Sequence, residues 1–240
     1  MPPRNKDSTP LDAVTPTDNR RLYQQIADQI RVLIDDGRFP VGERLPAERE
    51  LATRLGVSRP SVREALIALE IEGCVEARLG AGLFVCQPSR RVVPAQPTLG
   101  ESPTEVMQAR SALEGSVIVL ACTKATPERL APVREAHQAM RQAVARGRNP
   151  VPYDRQFHVA IAALTANAVL QRLVGALYDE RHEPIASALQ SRSENAQSWA
   201  DALEEHAAVL QALENRDALQ AQAALRMHLG ASQRRWLDSH

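Results

Sequence analysis

Four side chains in the C-terminal half of the chain have the types and spacing to bind a divalent transition metal. Asp154 and His158 stand four residues apart, so both leave the same face of one helix. His206 falls on the apolar stripe of a later helix, and His228 lies on the inward face of the last helix. Three imidazoles and one carboxylate that converge from three helices suit such an ion and leave open positions for a ligand.

A structural role for these residues stays open on spacing alone. A single histidine on an apolar face is more often a hydrogen-bonded core residue than a metal ligand. The chain has no HExxH motif and no paired ExxH motif, so the usual hydrolytic zinc and di-iron signatures are missing.

Arginines near the N-terminus have the spacing for contact with DNA. Arg59 and Arg63 are four residues apart and share one helix face. Arginine suits bidentate contact with guanine, or contact with a phosphate. From residue 49 to residue 63, four arginines stand against one glutamate, a local charge of +3. The alternative is a solvated basic face on an ordinary pair of helices.

The elements around these arginines predict a winged helix-turn-helix, which lays one helix in the major groove of DNA. Ser58 suits the N-cap of the second helix, and Pro60 is tolerated in its first turn. Arg49 lies on the preceding helix, where the chain would cross the DNA backbone. The stretch from Val75 to Val85, with Gly80-Ala81-Gly82 as its turn, predicts a β-hairpin wing.

The remainder of the chain carries apolar stripes at helical spacing and predicts about seven further helices. The fold class is therefore mainly α, with an N-terminal winged helix-turn-helix joined to a C-terminal all-α bundle. We expect a disordered arm over residues 1–18, the DNA-binding domain over 19–86, a proline-punctuated linker over 87–103 and the helical domain over 104–237.

Composition narrows the class of protein. The chain has 240 residues, 44% of them hydrophobic, and a formal net charge of zero, which is ordinary for a globular protein of one or two domains. Its three cysteines have no CxxC spacing, so they indicate neither a disulfide framework nor a zinc finger. Neither a signal peptide nor a membrane span is apparent, and we expect a cytoplasmic protein.

The N-terminal motifs identify a family. The segments LPAERELA and GVSRPSVREAL, within a match from about Leu22 to Val85, resemble the GntR family of bacterial transcription regulators. Pro60 departs from the pattern, because some members carry a hydroxyl side chain there. The resemblance implies that operator DNA is contacted by Arg49, Arg59 and Arg63, with further backbone or groove contacts from Ser58, Ser61 and Gly80.

The C-terminal half is similar to the ligand-binding helical (FCD) domain of the FadR-type branch of that family, over roughly residues 102–236. The motifs are Asp154-x-x-Phe157-His158, Ala166-Asn167, Glu205-His206, Asp217 and His228. The resemblance implies a metal held by Asp154, His158, His206 and His228, with zinc expected and nickel or manganese as alternatives. A small carboxylate effector would complete the coordination.

Two further residues are implied as effector contacts, each with a structural alternative. Arg110 matches a recurrent arginine that pairs with an effector carboxylate, but it could also be a surface residue paired with Glu114 at i+4. Asn167 could contact the effector or simply cap the next helix.

These observations predict a ligand-responsive transcription regulator, a repressor that binds operator DNA as a homodimer and is not an enzyme. The segments RLYQQIADQI and ALIALEIEG are similar to regulators of hexuronate and gluconate use, which suggests a sugar acid as effector. One alternative is a metal-dependent enzyme with a DNA-binding appendage, although no second carboxylate stands beside Asp154 at helical spacing. Another is a ligand-independent architectural DNA binder, in which the buried polar set would be an unexplained cost.

Overall fold

The computed structural model describes residues 21–87 and 99–238, with side chains as far as Trp236. The chain divides into two compact units, residues 1–102 and residues 103–240. The expected disordered arm, and residues 88–98 of the expected linker, lie outside the described residues.

The first unit is a winged helix-turn-helix, which confirms the predicted fold class for this half. Helices α1 and α2 both pack against α3, and a two-stranded antiparallel hairpin follows α3. The elements are α1 (Leu22–Asp35), α2 (Glu48–Leu55), α3 (Arg59–Ile71), β1 (Val75–Arg78) and β2 (Gly82–Val85).

Local chemistry sets the turn between α2 and α3. Gly56 ends α2 in the left-handed conformation, with φ of +67°, which glycine adopts without steric cost. Ser58 then caps α3, and its Oγ accepts a hydrogen bond from the backbone N–H of Ser61 at 3.2 Å. Pro60 sits in the first turn, where the missing N–H breaks no helical hydrogen bond. Ser58 and Pro60 therefore fix where α3 begins.

Backbone hydrogen bonds stabilise the wing, both between β1 and β2 and from the loop before α2. The register pairs Val75 with Val85 and Arg78 with Gly82. The backbone N–H of Leu45 also donates to the carbonyl of Leu83 at 2.8 Å. Gly82 has φ of +102°, and a Cβ there would lie 2.7 Å from Nε of Arg44, so this position needs glycine.

Residues 99–102 belong to the first unit. Tyr23 Oη donates to the carbonyl of Gly100 at 2.9 Å, and Ser102 Oγ donates to Glu64 Oε2 at 2.8 Å. The end of the segment expected as a linker is thus hydrogen-bonded to α1 and α3.

The second unit is all-helical, as predicted, and its described part contains seven α-helices. In the portion of the chain that the structure covers, none of the helices combines the length and hydropathy of a membrane crossing. The helices are α4 (Pro103–Thr123), α5 (Ala131–Ala145), α6 (Val151–Leu164), α7 (Ala168–Asp179), α8 (Pro184–Ser193), α9 (Ala196–Glu214) and α10 (Ala218–Asp238).

One apolar core links five of these helices. Helices α6 and α10 both pack on α4, while α6 and α9 both pack on α5. The core contains Ile118 of α4, Val133 of α5, Phe157 of α6, Leu213 of α9 and Leu225 of α10, all fully or almost fully buried. Helices α4 and α5 therefore hold α6 close to α9 and α10, the three helices that carry the metal-type side chains.

Replacement of Leu213 by alanine should destabilise the helical unit by about 2–5 kcal/mol, because it leaves a cavity in a packed core. Leu219→Ala is the matched control: Leu219 is 80% exposed, so its loss should change stability by about 0.5 kcal/mol or less. Both tryptophans, Trp199 and Trp236, lie in the helical unit, so urea unfolding followed by tryptophan fluorescence measures it selectively. Equal effects of the two substitutions would contradict the assigned core.

Candidate functional site

The structure brings together the four side chains that the sequence grouped as metal ligands. Asp154 and His158 lie one turn apart on α6, His206 lies on α9 and His228 on α10. All four are buried, and one ligand atom from each lies within 4.8 Å of the others. We call this group the His/Asp cluster.

Each histidine of the His/Asp cluster is oriented by an acceptor at its outer ring nitrogen. His158 Nδ1 lies 2.6 Å from Glu114 Oε2, and His228 Nδ1 lies 2.8 Å from Glu205 Oε2. His206 Nδ1 lies 2.7 Å from the carbonyl oxygen of its own helix at Ala202. Carboxylate and carbonyl oxygens accept hydrogen bonds, so each Nδ1 carries a proton, which leaves Nε2 to point inward.

The Nε2 atoms of the histidines and Oδ1 of Asp154, all hydrogen-bond acceptors in this arrangement, therefore face one another. His206 Nε2 lies 2.9 Å from Asp154 Oδ1 and 3.5 Å from His158 Nε2. Within the part of the chain that the structure describes, Asp154 Oδ1 is buried and makes no hydrogen bond apart from its approach to His206 Nε2. Buried polar atoms without partners are rare in folded proteins. Lone pairs at this separation require a shared proton or a cation between them, and this nitrogen and oxygen set suits a divalent transition metal.

Burial and neighbouring groups favour the ligand forms of two members of the His/Asp cluster, His228 and Asp154. Burial, followed by the neighbouring His206, lowers the pKa of His228 to about 3, so this ring is neutral at physiological pH. Burial alone would raise the pKa of Asp154, but the surrounding histidines hold it well below its usual range. Neutral imidazoles and an ionised carboxylate are the ligand forms of these side chains.

The carboxylates behind the cluster are ionised for the same kind of reason. Burial opposes the charge of Glu114, but Arg110 and His158 outweigh it and lower its pKa to about 2. Burial likewise opposes the charge of Glu205, but His228 and Arg235 lower its pKa to about 2. These two carboxylates therefore serve as charged hydrogen-bond acceptors for the ring N–H groups, a role that typically tunes metal affinity.

A pocket opens onto the His/Asp cluster from one side. It contains a cavity of about 50 Å³, more than the roughly 10–15 Å³ that one buried water needs. Its lining is mostly polar and includes three arginines and two tryptophans. The lining residues are Arg110, Asp154, Arg181, Gln190, Ser193, Glu194, Ser198, Trp199, Ala202, His228, Ser232, Arg235 and Trp236.

The two sequence-predicted effector residues differ in where they lie. Arg110 lines the pocket and is 6% exposed. It does pair with Glu114, at 2.8 Å from Nε to Oε1, but the pair is buried rather than on the surface. Asn167 is exposed and absent from the pocket lining; its Oδ1 accepts from the backbone N–H groups of Val169 and Leu170. The structure therefore gives Asn167 the role of helix cap.

Sequence spacing missed several residues of the pocket. Arg181 donates to Tyr178 Oη and to Gln190 Oε1, and it forms an ion pair with Glu194. Tyr178 Oη in turn donates to Asp154 Oδ2 at 2.6 Å. The i,i+3 spacing of Tyr178 and Arg181 is a weak signal on its own, and nothing in the local sequence marks Gln190.

In the first unit, the residues predicted to contact DNA lie on α2, α3 and the wing. Arg49 and Arg59 are exposed, as are Ser58 at the α3 N-cap and Gly80 at the wing tip, and Ser61 is half-buried. Gly80 has φ of +68°, which the tight turn requires. These residues are therefore at least partly accessible to a partner.

Arg63 differs from the sequence expectation. It does not project freely beside Arg59: its side chain is 7% exposed, and its Nε and Nη2 lie 2.9 and 2.7 Å from the carboxylate of Glu48 on α2. The charge count from residue 49 to residue 63 stops one position short of this glutamate. In this structure Arg63 therefore joins α2 to α3 through a bidentate ion pair with Glu48.

A winged helix-turn-helix unit followed by a helical unit with a buried histidine cluster defines the class of DNA-binding transcription regulators that carry a separate helical domain. The family models agree with this class. Residues 22–85 match the family "Bacterial regulatory proteins, gntR family", and residues 105–231 match the FCD domain. The chain belongs to the GntR family, as the sequence motifs predicted.

Two relatives from Escherichia coli K12 extend over most of the chain. The Uxu operon transcriptional regulator is 36% identical over 229 residues, which cover 92% of this chain and 89% of the relative. The Exu regulon transcriptional regulator is 35% identical over 223 residues, with 89% and 83% coverage. Among solved structures, E. coli McbR/YncC has a TM-score of 0.52 and 21% identity, with 91% of this chain and 98% of that chain covered, which shows a shared fold.

The hydrogen-bond partners predict one tautomer for all three cluster histidines. Nitrogen-15 NMR of the metal-free protein, with histidine labelled, should show His158, His206 and His228 protonated at Nδ1, because each Nδ1 faces an acceptor. His182, which is exposed, serves as the internal reference for an unconstrained ring. A neutral ring of the cluster protonated only at Nε2 would contradict the geometry described above.

Proposed function

We propose that this chain is a ligand-responsive repressor whose helical domain binds a divalent metal and a small carboxylate effector such as a sugar acid. One observation carries the proposal: four buried side chains, each with one atom that can bind a metal, converge beside a pocket lined by arginines. In a protein that bound no ligand, this arrangement would lower the stability of the fold.

The metal would be held by Asp154, His158, His206 and His228, with zinc first and nickel or manganese as alternatives. Four protein ligands, one of them anionic, leave a divalent ion with net positive charge. When bound, the ion would attract an anionic oxygen of a ligand electrostatically. Arg110 stands in the same pocket, where its guanidinium would bind a carboxylate through charge-assisted hydrogen bonds.

A hydroxylated carboxylate is favoured by the name of one relative as well as by the pocket. A third E. coli K12 relative, 32% identical over 222 residues, is named as a putative regulatory protein of the L-lactate dehydrogenase operon. Lactate is a hydroxylated carboxylate, and the polar lining of the pocket suits such a ligand.

The first unit would bind operator DNA through Arg49 and Arg59, with Ser58, Ser61 and Gly80 contacting the backbone or groove. Arg63 would join them by exchanging Glu48 for DNA. One such module offers a small interface, so we propose a homodimer on a two-fold operator, formed through the helical domain. A protein with this role works in the cytoplasm, where the bacterial chromosome lies.

Removal of the Arg59 side chain tests the DNA interface. If Arg59 reads a base, Arg59→Ala should weaken operator binding by about 1–3 kcal/mol and relax sequence preference at one position. Arg59→Lys is the matched control, because it keeps the charge and loses the two-pronged geometry. The operator is first obtained by selection from random duplexes, and affinity is measured by fluorescence anisotropy at several salt concentrations. Unchanged affinity and preference in both variants would exclude Arg59 from the interface.

Metal content and effector response together test the regulatory proposal. Wild-type protein reconstituted with zinc should hold one ion per chain, and a sugar acid should change its operator affinity. The variant His206→Ala/His228→Ala should lose both properties and keep operator binding without effector, which also shows that it folds. His182→Ala controls for loss of a histidine outside the cluster. Wild-type protein that takes up no metal, or a double variant that still responds to the sugar acid, would refute the proposal.

A further inference from the structure

Among the residues that the structure describes, two buried donors in the pocket have no hydrogen-bond partner. One is Nη2 of Arg110, and the other is Nε2 of Gln190. Both residues line the pocket, and each is 6% exposed. Since buried donors are almost always paired in folded proteins, the two atoms indicate where oxygen atoms of a bound molecule would lie.

The orientation of the Gln190 amide follows from its neighbour. Arg181 Nε donates a hydrogen bond to Gln190 Oε1 at 2.9 Å. A guanidinium has donors and no acceptor, so the amide oxygen must face Arg181 and the NH₂ group must face away from it. Arg181 is itself held by Glu194 and by Tyr178. Gln190 therefore presents a fixed donor that no acceptor in the described residues uses.

The charges around the pocket set the charge of its ligand. Three guanidinium groups line it, and each is paired with at least one carboxylate: Arg110 with Glu114, Arg181 with Asp154 and Glu194, and Arg235 with Glu205. Three positive charges against four negative charges leave one negative charge. A divalent ion in the His/Asp cluster would change this sum to one positive charge, which a single carboxylate neutralises.

We propose that the pocket selects hydroxylated monocarboxylates, and that Gln190 is a specificity-determining residue that donates its Nε2 hydrogen to an oxygen of the effector. The inference rests on the proposed function, because the metal supplies the positive charge that admits the carboxylate. A second carboxylate on the ligand would meet no uncompensated cation. The lining hydroxyl groups of Ser193, Ser198 and Ser232 suit the hydroxyl groups of such a ligand.

The experiment compares acids of equal carbon number on the zinc-loaded full chain by isothermal titration calorimetry. The monocarboxylates are gluconate, glucuronate and galacturonate, and the dicarboxylates are glucarate and galactarate. We expect the best-bound monocarboxylate to bind at least tenfold more tightly than either dicarboxylate. A dicarboxylate that binds as tightly as the best monocarboxylate would overturn the charge argument.

Two substitutions test Gln190. Gln190→Glu keeps the acceptor for Arg181 and the shape of the side chain but replaces the donor with a second acceptor. Gln190→Met removes the donor without adding charge. Each should weaken binding of the best monocarboxylate at least tenfold while zinc content stays at the wild-type level. Gln211→Glu, the same change at an exposed position of α9, should bind like the wild type.

The outcomes separate this inference from the function on which it rests. Unchanged effector affinity in both Gln190 variants would overturn the role of Gln190, whatever the metal content. A wild-type protein that takes up zinc but binds none of the monocarboxylates would overturn the proposed ligand class and leave the metal site in place. Failure of the wild type to take up zinc would instead refute the proposed function and this inference with it.

Discussion

The helical domain is arranged around four buried polar side chains, whose removal from water costs free energy. Asp154 Oδ1 and the Nε2 atoms of the cluster histidines face inward, and their outer nitrogens are already committed to acceptors. A hydrophobic core would avoid this cost. The apolar contacts of α4 and α5 with α6, α9 and α10 supply the stability that keeps the acceptors together. Packing energy thus maintains a preorganised group of side chains, which would need little rearrangement to bind a cation.

The carboxylates next to the His/Asp cluster position further side chains around it. Glu114 connects His158 to Arg110, and Glu205 connects His228 to Arg235. A carboxylate between a ring N–H and a guanidinium fixes both groups, so the histidines and the pocket arginines are positioned by shared partners. A cation in the cluster would therefore alter the electrostatic environment of the arginines directly.

Much of the fold could be predicted because its signals are local. The Ser58 cap, the Gly80–Gly82 turn and the apolar stripes depend on residues within a few positions of one another. The four cluster residues could also be grouped, since Asp154 and His158 share a helix face and the other two lie on inward stripes. Gln190 could not be found this way, because its importance arises from Arg181 and the pocket, which only the packing of α8 creates. The ion pair of Arg63 could not be predicted for a related reason: its partner Glu48 lies on another helix.

The ion pair between Arg63 and Glu48 bears on how α3 would discriminate among DNA sequences in the proposed complex with an operator. An arginine that already holds a carboxylate through two hydrogen bonds gains, on meeting DNA, only the difference between its new partner and the old one. A phosphate alone offers a similar charge and little improvement, whereas a well-placed guanine edge adjoining a phosphate offers more. If Arg63 contacts DNA as proposed, Glu48 would act as an internal competitor, and random DNA would be held more loosely than a matching site that engages the full set of arginines.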